Sequence, residues 1–143
     1  MSTKTLNLIT GGSGFVASRC ILDGLQRGYA VRTTVRSMKR AEGVKKMLLH
    51  GGTTQSQVES VEFSTTDLVK DEGWLDACKG CTYILHVASP FPPGKPKHED
   101  NLIVPARDGT LRVLKAAKAS GTVKRVVLTS SIASVVERSC QPR

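Results

Sequence analysis

The chain has 143 residues, 39% of them apolar, and a formal charge of +9. That is enough for one domain with a core, and too little for a nucleotide domain beside a full substrate domain. No run reaches membrane-spanning length, and no consecutive basic block suggests a nucleic-acid tail.

The positive charge is spread along the chain. Residues 1–70 carry 10 Lys/Arg against 5 Asp/Glu, and residues 71–143 carry 11 against 7. Such a field favours anionic ligands, phosphates included. Aromatic residues make up only 4% of the chain, and no helix-turn-helix or zinc-finger spacing is present, so neither nucleic acid nor a membrane is an expected partner. The first residues run into a Gly-rich turn without an apolar signal region, which predicts a cytoplasmic setting.

Leu6 to Ala17 reads L-N-L-I-T-G-G-S-G-F-V-A. Residues 5–9 predict a short, central parallel strand. Gly11 permits a tight turn, Gly12 and Ser13 fill it, and Gly14 lets a helix approach. Phe15, Val16, Cys20, Ile21 and Leu25 continue at helical spacing, and Gly28 stands at the C-cap. A strand feeding a helix through glycines presents backbone N–H groups to a pyrophosphate.

Ala30 to Val35 predicts the second strand, rich in β-branched residues. A site for unphosphorylated NAD usually carries Asp or Glu at this strand end. Here Val35 is followed by Arg36, Ser37, Lys39 and Arg40, which offer charge and hydrogen bonds to a 2′-phosphate. The plain alternative is that these are ordinary surface basics at a helix start.

Residues 39–49 predict the second helix, 53–60 a polar connection, and Val58 to Phe63 the third strand. Asp67 and Leu68 follow it, where a carboxylate could accept a bond from an adenine amino group or simply cap the next helix. Gly73 to Cys78 predicts a short helix with Trp74 as a core plug. Tyr83 to Val87 is the fourth predicted strand, running out through Ala88, Ser89 and Pro90. The Pro/Gly/Lys-rich loop from Phe91 to His98 is either a substrate wall or a simple surface loop.

Asn101 to Ser120 carries a long helical pattern. Pro105 falls inside it and either opens the helix late or kinks it. Val123 to Thr129 is the fifth predicted strand, followed by Ser130 and Ser131. Of the four cysteines, Cys20, Cys78, Cys81 and Cys140, the Cys78–Cys81 pair has redox-motif spacing but lies at a helix end. Buried small hydrophobes are the simpler account. The five β-α units predict a doubly wound parallel sheet of order 3-2-1-4-5, with a ligand crossing the carboxyl ends of the central strands.

The motifs T-G-G-S-G-F-V-A (10–17), V-R (35–36), D-L (67–68), H-V-A-S-P (86–90) and L-T-S-S (128–131) resemble the extended short-chain dehydrogenase/reductase family. The branch they are most similar to is that of the dihydroflavonol reductase-like carbonyl reductases. G-W-L-D-A-C-K-G-C (73–81) and the run 101–117 match as well, so the resemblance covers residues 5 to about 136.

It implies a Rossmann-type NAD(P)-binding domain over residues 1–143, with NADP as cofactor and a small carbonyl compound as substrate. Gly11, Gly14, Phe15 and Val16 would lie under the pyrophosphate, and Arg36 would select the 2′-phosphate. Asp67 and Leu68 would line the adenine pocket, while Val87, Ala88, Ser89 and Thr129 would pass the ribose and nicotinamide. Ser131 would bind the substrate carbonyl oxygen as catalytic serine. No metal is implied.

The family's general acid, a Tyr in Tyr-x-x-x-Lys, has no counterpart here. The only tyrosines are Tyr29 and Tyr83, and neither is followed by Lys at the fourth position. The expectation is therefore the nucleotide-binding part of an NADPH-dependent carbonyl reductase, its sheet truncated after the fifth strand and lacking the substrate region. The exposed edge would call for a homodimer or a covering partner. A non-catalytic dinucleotide-binding or redox-sensing protein and an NAD-dependent sugar epimerase or dehydratase are the competing readings, and Arg36 argues against the last.

Overall fold

Apolar residues that alternate along a strand face opposite sides of a sheet, and this decides the architecture. In the computed structural model, which describes residues 4–90, 94, 96–132 and 135, Leu8 and Ile9 of β1 (Leu6–Ile9) are both buried yet belong to different cores. Ile9 packs with Ile21 and Leu25 of α1 (Phe15–Gln26) and with Val44 and Leu48 of α2 (Lys39–His50). Leu8 packs with Trp74 and Ala77 of α4 (Trp74–Cys78) and Val113 of α5 (Asp100–Ser120). Each fully buried Leu or Ile adds about 1.5–3 kcal/mol of transfer free energy, so both helical layers are fastened through one central strand.

β2 (Ala30–Val35), β3 (Glu62–Thr65), β4 (Tyr83–His86) and β5 (Arg125–Leu128) complete a sheet of order β3-β2-β1-β4-β5. Every pairing is parallel. This is the predicted doubly wound, Rossmann-type order. The strand order reverses between β2 and β4 around β1, and it is there that the carboxyl ends of neighbouring strands part to leave a crevice.

Two predicted elements differ. The connection 53–60 contains a helix, α3 (Gln55–Glu59), started by a capping box in which Thr54 Oγ1 accepts from the Gln57 amide and the Gln57 side chain accepts from the Thr54 amide. Val58 is therefore an inward helical residue, and β3 begins at Glu62 in register with Arg32. Pro105 does not open α5 late, since the helix runs from Asp100 through it. It stands one turn past the helix start, where the missing N–H forgoes the bond to the Asn101 carbonyl.

Arg32 links the layers. Its Nη1 donates to the carbonyls of Ala77 (2.9 Å) and Lys79 (2.7 Å) at the end of α4, and its Nε donates to Glu62. Cys78 and Cys81 are buried beside it, and burial pushes the Cys78 thiol up to about 11. Both thiols pack in the core beneath α4 and α5, where burial disfavours the thiolate. Cys140 lies outside the described residues.

Candidate dinucleotide-binding site

The glycine turn is built by close approach. Gly11 has φ +76°, and a Cβ placed on it would stand 2.9 Å from Ala88 Cβ. A Cβ on Gly12 would stand 2.4 Å from Thr33 Oγ1, so only glycine lets the turn lie on β2. Thr34 holds it there, its Oγ1 accepting from the Gly11 amide at 3.0 Å and its carbonyl from the Gly12 amide at 2.9 Å. Gly14 then serves as the N-cap of α1 and offers no side-chain cap. The first i to i−4 bond of the helix is Ser18 N to Gly14 O. The amides of residues 15–17 precede it and are helix-start donors. No acidic side chain occupies the first turn, so the positive end of the helix faces the crevice uncompensated.

The opposite wall is the exit of β4. Thr10 Oγ1 accepts from the amides of Val87 and Ala88, each at 3.0 Å, and lies 2.8 Å from His86 Nδ1. Thr10 and His86 are both buried, and burial pushes the imidazole below its ordinary value of 6.5.

The third side is the segment after β3. Asp67 Oδ1 accepts from the Val69 amide, closing a turn. The Trp74 indole N–H donates to the carbonyls of Asp67 and Lys70, both at 3.1 Å. Arg112 of α5 donates to Leu68 O at 2.8 Å and pairs with Asp71. The Asp67 side chain thus builds its own loop, as the capping alternative required, while the residue also lines the crevice.

These walls enclose a cleft of about 730 Å³. Gly11, Gly14, Phe15, Val16, Arg36, Asp67, Leu68, Val87, Ala88 and Ser89 all line it, brought together from the segments that follow four strands. Thr129 and Ser131 are not among the lining residues. Thr129 instead extends the β4–β5 ladder, its amide donating to His86 O at 3.0 Å. Both are exposed.

The lining fits a dinucleotide: a glycine cradle without side chains, a helix start, a basic residue at the end of β2, and Thr66, a buried wall residue whose Oγ1 has no partner among the described residues. Thr10, His86 and Trp74 escaped the sequence reading as site-builders. Their partners lie far off in the chain or are backbone atoms, and the one local signal is a polar residue at each of two neighbouring strand ends.

A glycine turn at the strand-order reversal, opening on a cleft walled by the next strand ends, defines a dinucleotide-binding Rossmann-type domain. More narrowly, the chain belongs to the 3-beta hydroxysteroid dehydrogenase/isomerase family, whose pattern matches residues 8–142. The resemblance to extended short-chain dehydrogenases of the dihydroflavonol reductase type holds.

Dihydroflavonol 4-reductase of Hordeum vulgare is 39% identical over 128 residues, covering 90% of this chain and 35% of the relative. Anthocyanidin reductase ((2S)-flavan-3-ol-forming) of Vitis vinifera is 35% identical over 132 residues, covering 92% and 38%. Among solved structures, vestitone reductase from alfalfa (Medicago sativa L.) superposes with a TM-score of 0.69 at 31% identity, over 91% of this chain and 37% of that one. The yeast methylglyoxal/isovaleraldehyde reductase Gre2 complexed with NADPH gives 0.71 at 28% identity, over 90% and 38%. The chain thus spans well under half the length of the relatives it matches.

Proposed function

We propose that this chain is the cofactor-binding part of an NADPH-dependent oxidoreductase acting on a carbonyl compound. The observation that carries the reading is Arg36. It follows β2 directly, is exposed, and lines the same cleft as the Gly11–Gly14 turn. A guanidinium at that strand end suits a 2′-phosphate, and a ribose 2′-hydroxyl is better served by a carboxylate. NADPH is also the cofactor named for the yeast Gre2 structure.

NADPH supplies the hydride when bound. In this reading the amides at the start of α1 hold the pyrophosphate, and Gly11 and Gly14 keep side chains out of its way. Asp67 and Leu68 border the adenine, and Val87, Ala88 and Ser89 form the wall beside the ribose and nicotinamide. Ser131, two residues beyond Thr129 on the β5 exit, donates a hydrogen bond to the substrate oxygen. Tyr29 immediately precedes β2 and Tyr83 opens β4. Both stand at the amino edge of the sheet, away from the cleft, and no tyrosine lines the cleft. This favours dinucleotide binding with little turnover by these residues alone, whereas the non-catalytic reading predicts tight binding with no turnover. Partner cover for the outer strand belongs to the same proposal. Val127 and Leu128 of β5 are 54% and 52% exposed, and a clean monomer in sedimentation would count against such cover.

Titration with NADPH and NADH tests the assignment. Arg36→Ala is expected to weaken NADPH by roughly 10- to 100-fold, the loss of a charge-assisted contact, and to leave NADH nearly unchanged. Equal wild-type affinities for the two cofactors would sink it.

A further inference from the structure

We propose that Thr10 and His86 are a positioning pair: while His86 is neutral they hold the Val87–Ala88 wall against the glycine turn, and protonation of His86 releases it. The consequence for cofactor affinity rests on the dinucleotide reading above; the pair itself rests on hydrogen-bond logic.

A threonine hydroxyl has one proton and two acceptor sites. At Thr10 the Val87 and Ala88 amides approach at 3.0 Å each. Amides only donate, so both acceptor sites are filled. The hydroxyl proton is left for His86 Nδ1, at 2.8 Å. His86 Nδ1 must then be bare, and its ring proton sits on Nε2. A second proton, arriving at Nδ1, sets two donors against each other. Thr10 must then turn, and the wall loses an amide bond.

The surroundings leave little room to adapt. Thr10 is 0% and His86 2% exposed, so water cannot easily stand in. The backbone is pinned on both sides of the histidine, by Thr10 N to Leu85 O and Thr129 N to His86 O. Ala88 Cα lies 3.3 Å from where a Gly11 Cβ would be, so any shift of Ala88 changes the floor of the cleft.

Among the described residues no charge pairs with the His86 ring. By strand alternation His86 shares the face of Ile84, which packs on α4 and α5. Of the titratable groups of that layer, Arg112 binds Leu68 O and Asp71, Asp108 pairs with Arg107, Asp76 with Lys79 and Cys81 with Ala77 O, while Lys115 and Lys118 are exposed. Cys78 shares the same buried cluster as a thiol. On the β5 side the neighbour of His86 is Leu128. Burial alone lowers the proton affinity of the imidazole.

The test uses the 143-residue chain. Long-range ¹H–¹⁵N correlation at pH 8 is expected to show His86 protonated at Nε2 only, and a proton on Nδ1 overturns the pair. On acidification the Val87 and Ala88 amide signals should move with the His86 titration in the wild type. They should stay still in His86→Asn, whose side-chain oxygen still accepts from Thr10 but does not titrate. Affinity for NADP⁺, read by fluorescence of the single tryptophan, should fall from pH 8 to 5.5 by about tenfold more in the wild type than in His86→Asn. The 2′-phosphate titrates equally in both. Thr10→Ser should bind as the wild type and Thr10→Val more weakly at every pH. Parallel pH profiles for wild type and His86→Asn, or equal binding by the Val and Ser variants, overturn the proposal. If the wild type does not bind NADP⁺ at pH 8, the dinucleotide reading fails, and the amide titrations still decide the pair.

Discussion

At the scale of single residues, the site depends on glycines for two separable reasons. Gly11 and Gly28 have nearly the same φ, +76° and +80°. A Cβ on Gly28 would meet open space, whereas one on Gly11 would press on Ala88 at 2.9 Å. Gly28→Ala should therefore cost only the strain of a left-handed alanine, about 1–2 kcal/mol. Gly11→Ala carries the same strain plus a contact that moves either the turn or the β4 exit. We expect it to cost roughly 1 kcal/mol more than Gly28→Ala and to weaken dinucleotide binding, which Gly28→Ala should not do. Urea denaturation of both variants, with NADPH titration beside it, checks this. Equal losses of stability would show that the approach to Ala88 is soft. The sequence announced Gly11 and Gly14 by spacing. It could not announce Thr33, the residue that forbids a side chain at Gly12, because Thr33 is named only by the fold.

At the scale of elements, Arg32 does what its strand position does not advertise. It is an internal β2 residue whose guanidinium donates to the last carbonyls of α4, where the helix dipole is negative. Its side chain is 16% exposed, while that of Glu62, its ion-pair partner, is 53% exposed. The two halves of this interaction should thus differ in weight. Arg32→Met is expected to cost about 2–3 kcal/mol, since it removes charge-assisted bonds to the part-buried Ala77 carbonyl and to the Lys79 carbonyl. Glu62→Gln should cost under about 1 kcal/mol, as exposed ion pairs usually do. Chemical denaturation of the two variants measures the difference, and a Glu62→Gln loss as large as that of Arg32→Met would refute the capping role.

The same scale explains what could be read ahead of the structure. The sheet order was legible because strands and helices alternate with clear apolar runs. β3 was misplaced because its sequence, Glu62–Thr65, is largely polar, while Val58 and Val61 just before it are buried from α3 and its exit. α3 was missed because five residues give no helical period, although its Thr54–Gln57 capping box was present in the letters. The cleft-lining residues after β1, β2, β3 and β4 were legible because each follows a strand end. Thr10 with His86 was not, since the pair is 76 positions apart in sequence and both residues look like ordinary strand termini.

At the scale of the whole molecule, the protonation of one buried imidazole should appear in the stability of the fold. Unfolded, His86 takes up a proton near its ordinary value of 6.5, and folded it resists, because burial lowers its affinity for the proton. Between those two values the unfolded chain binds more protons, so stability rises with pH. The contribution is fully present above about 6.5 and is lost as pH falls toward the folded value. Carboxylates act lower down: Asp76 beside Lys79 and Asp108 beside Arg107 are held below 3.8. What they contribute is present above the ordinary carboxylate range and disappears only in stronger acid. The two windows are therefore separate. Thermal melts from pH 8 to 5 should show the wild type losing stability in the upper window. His86→Asn should be nearly flat there, so that its deficit against the wild type shrinks as pH falls. A deficit that stays constant over this range would mean that His86 titrates alike in the folded and unfolded chain. The release of the Val87–Ala88 wall by protonation of His86 would then fail.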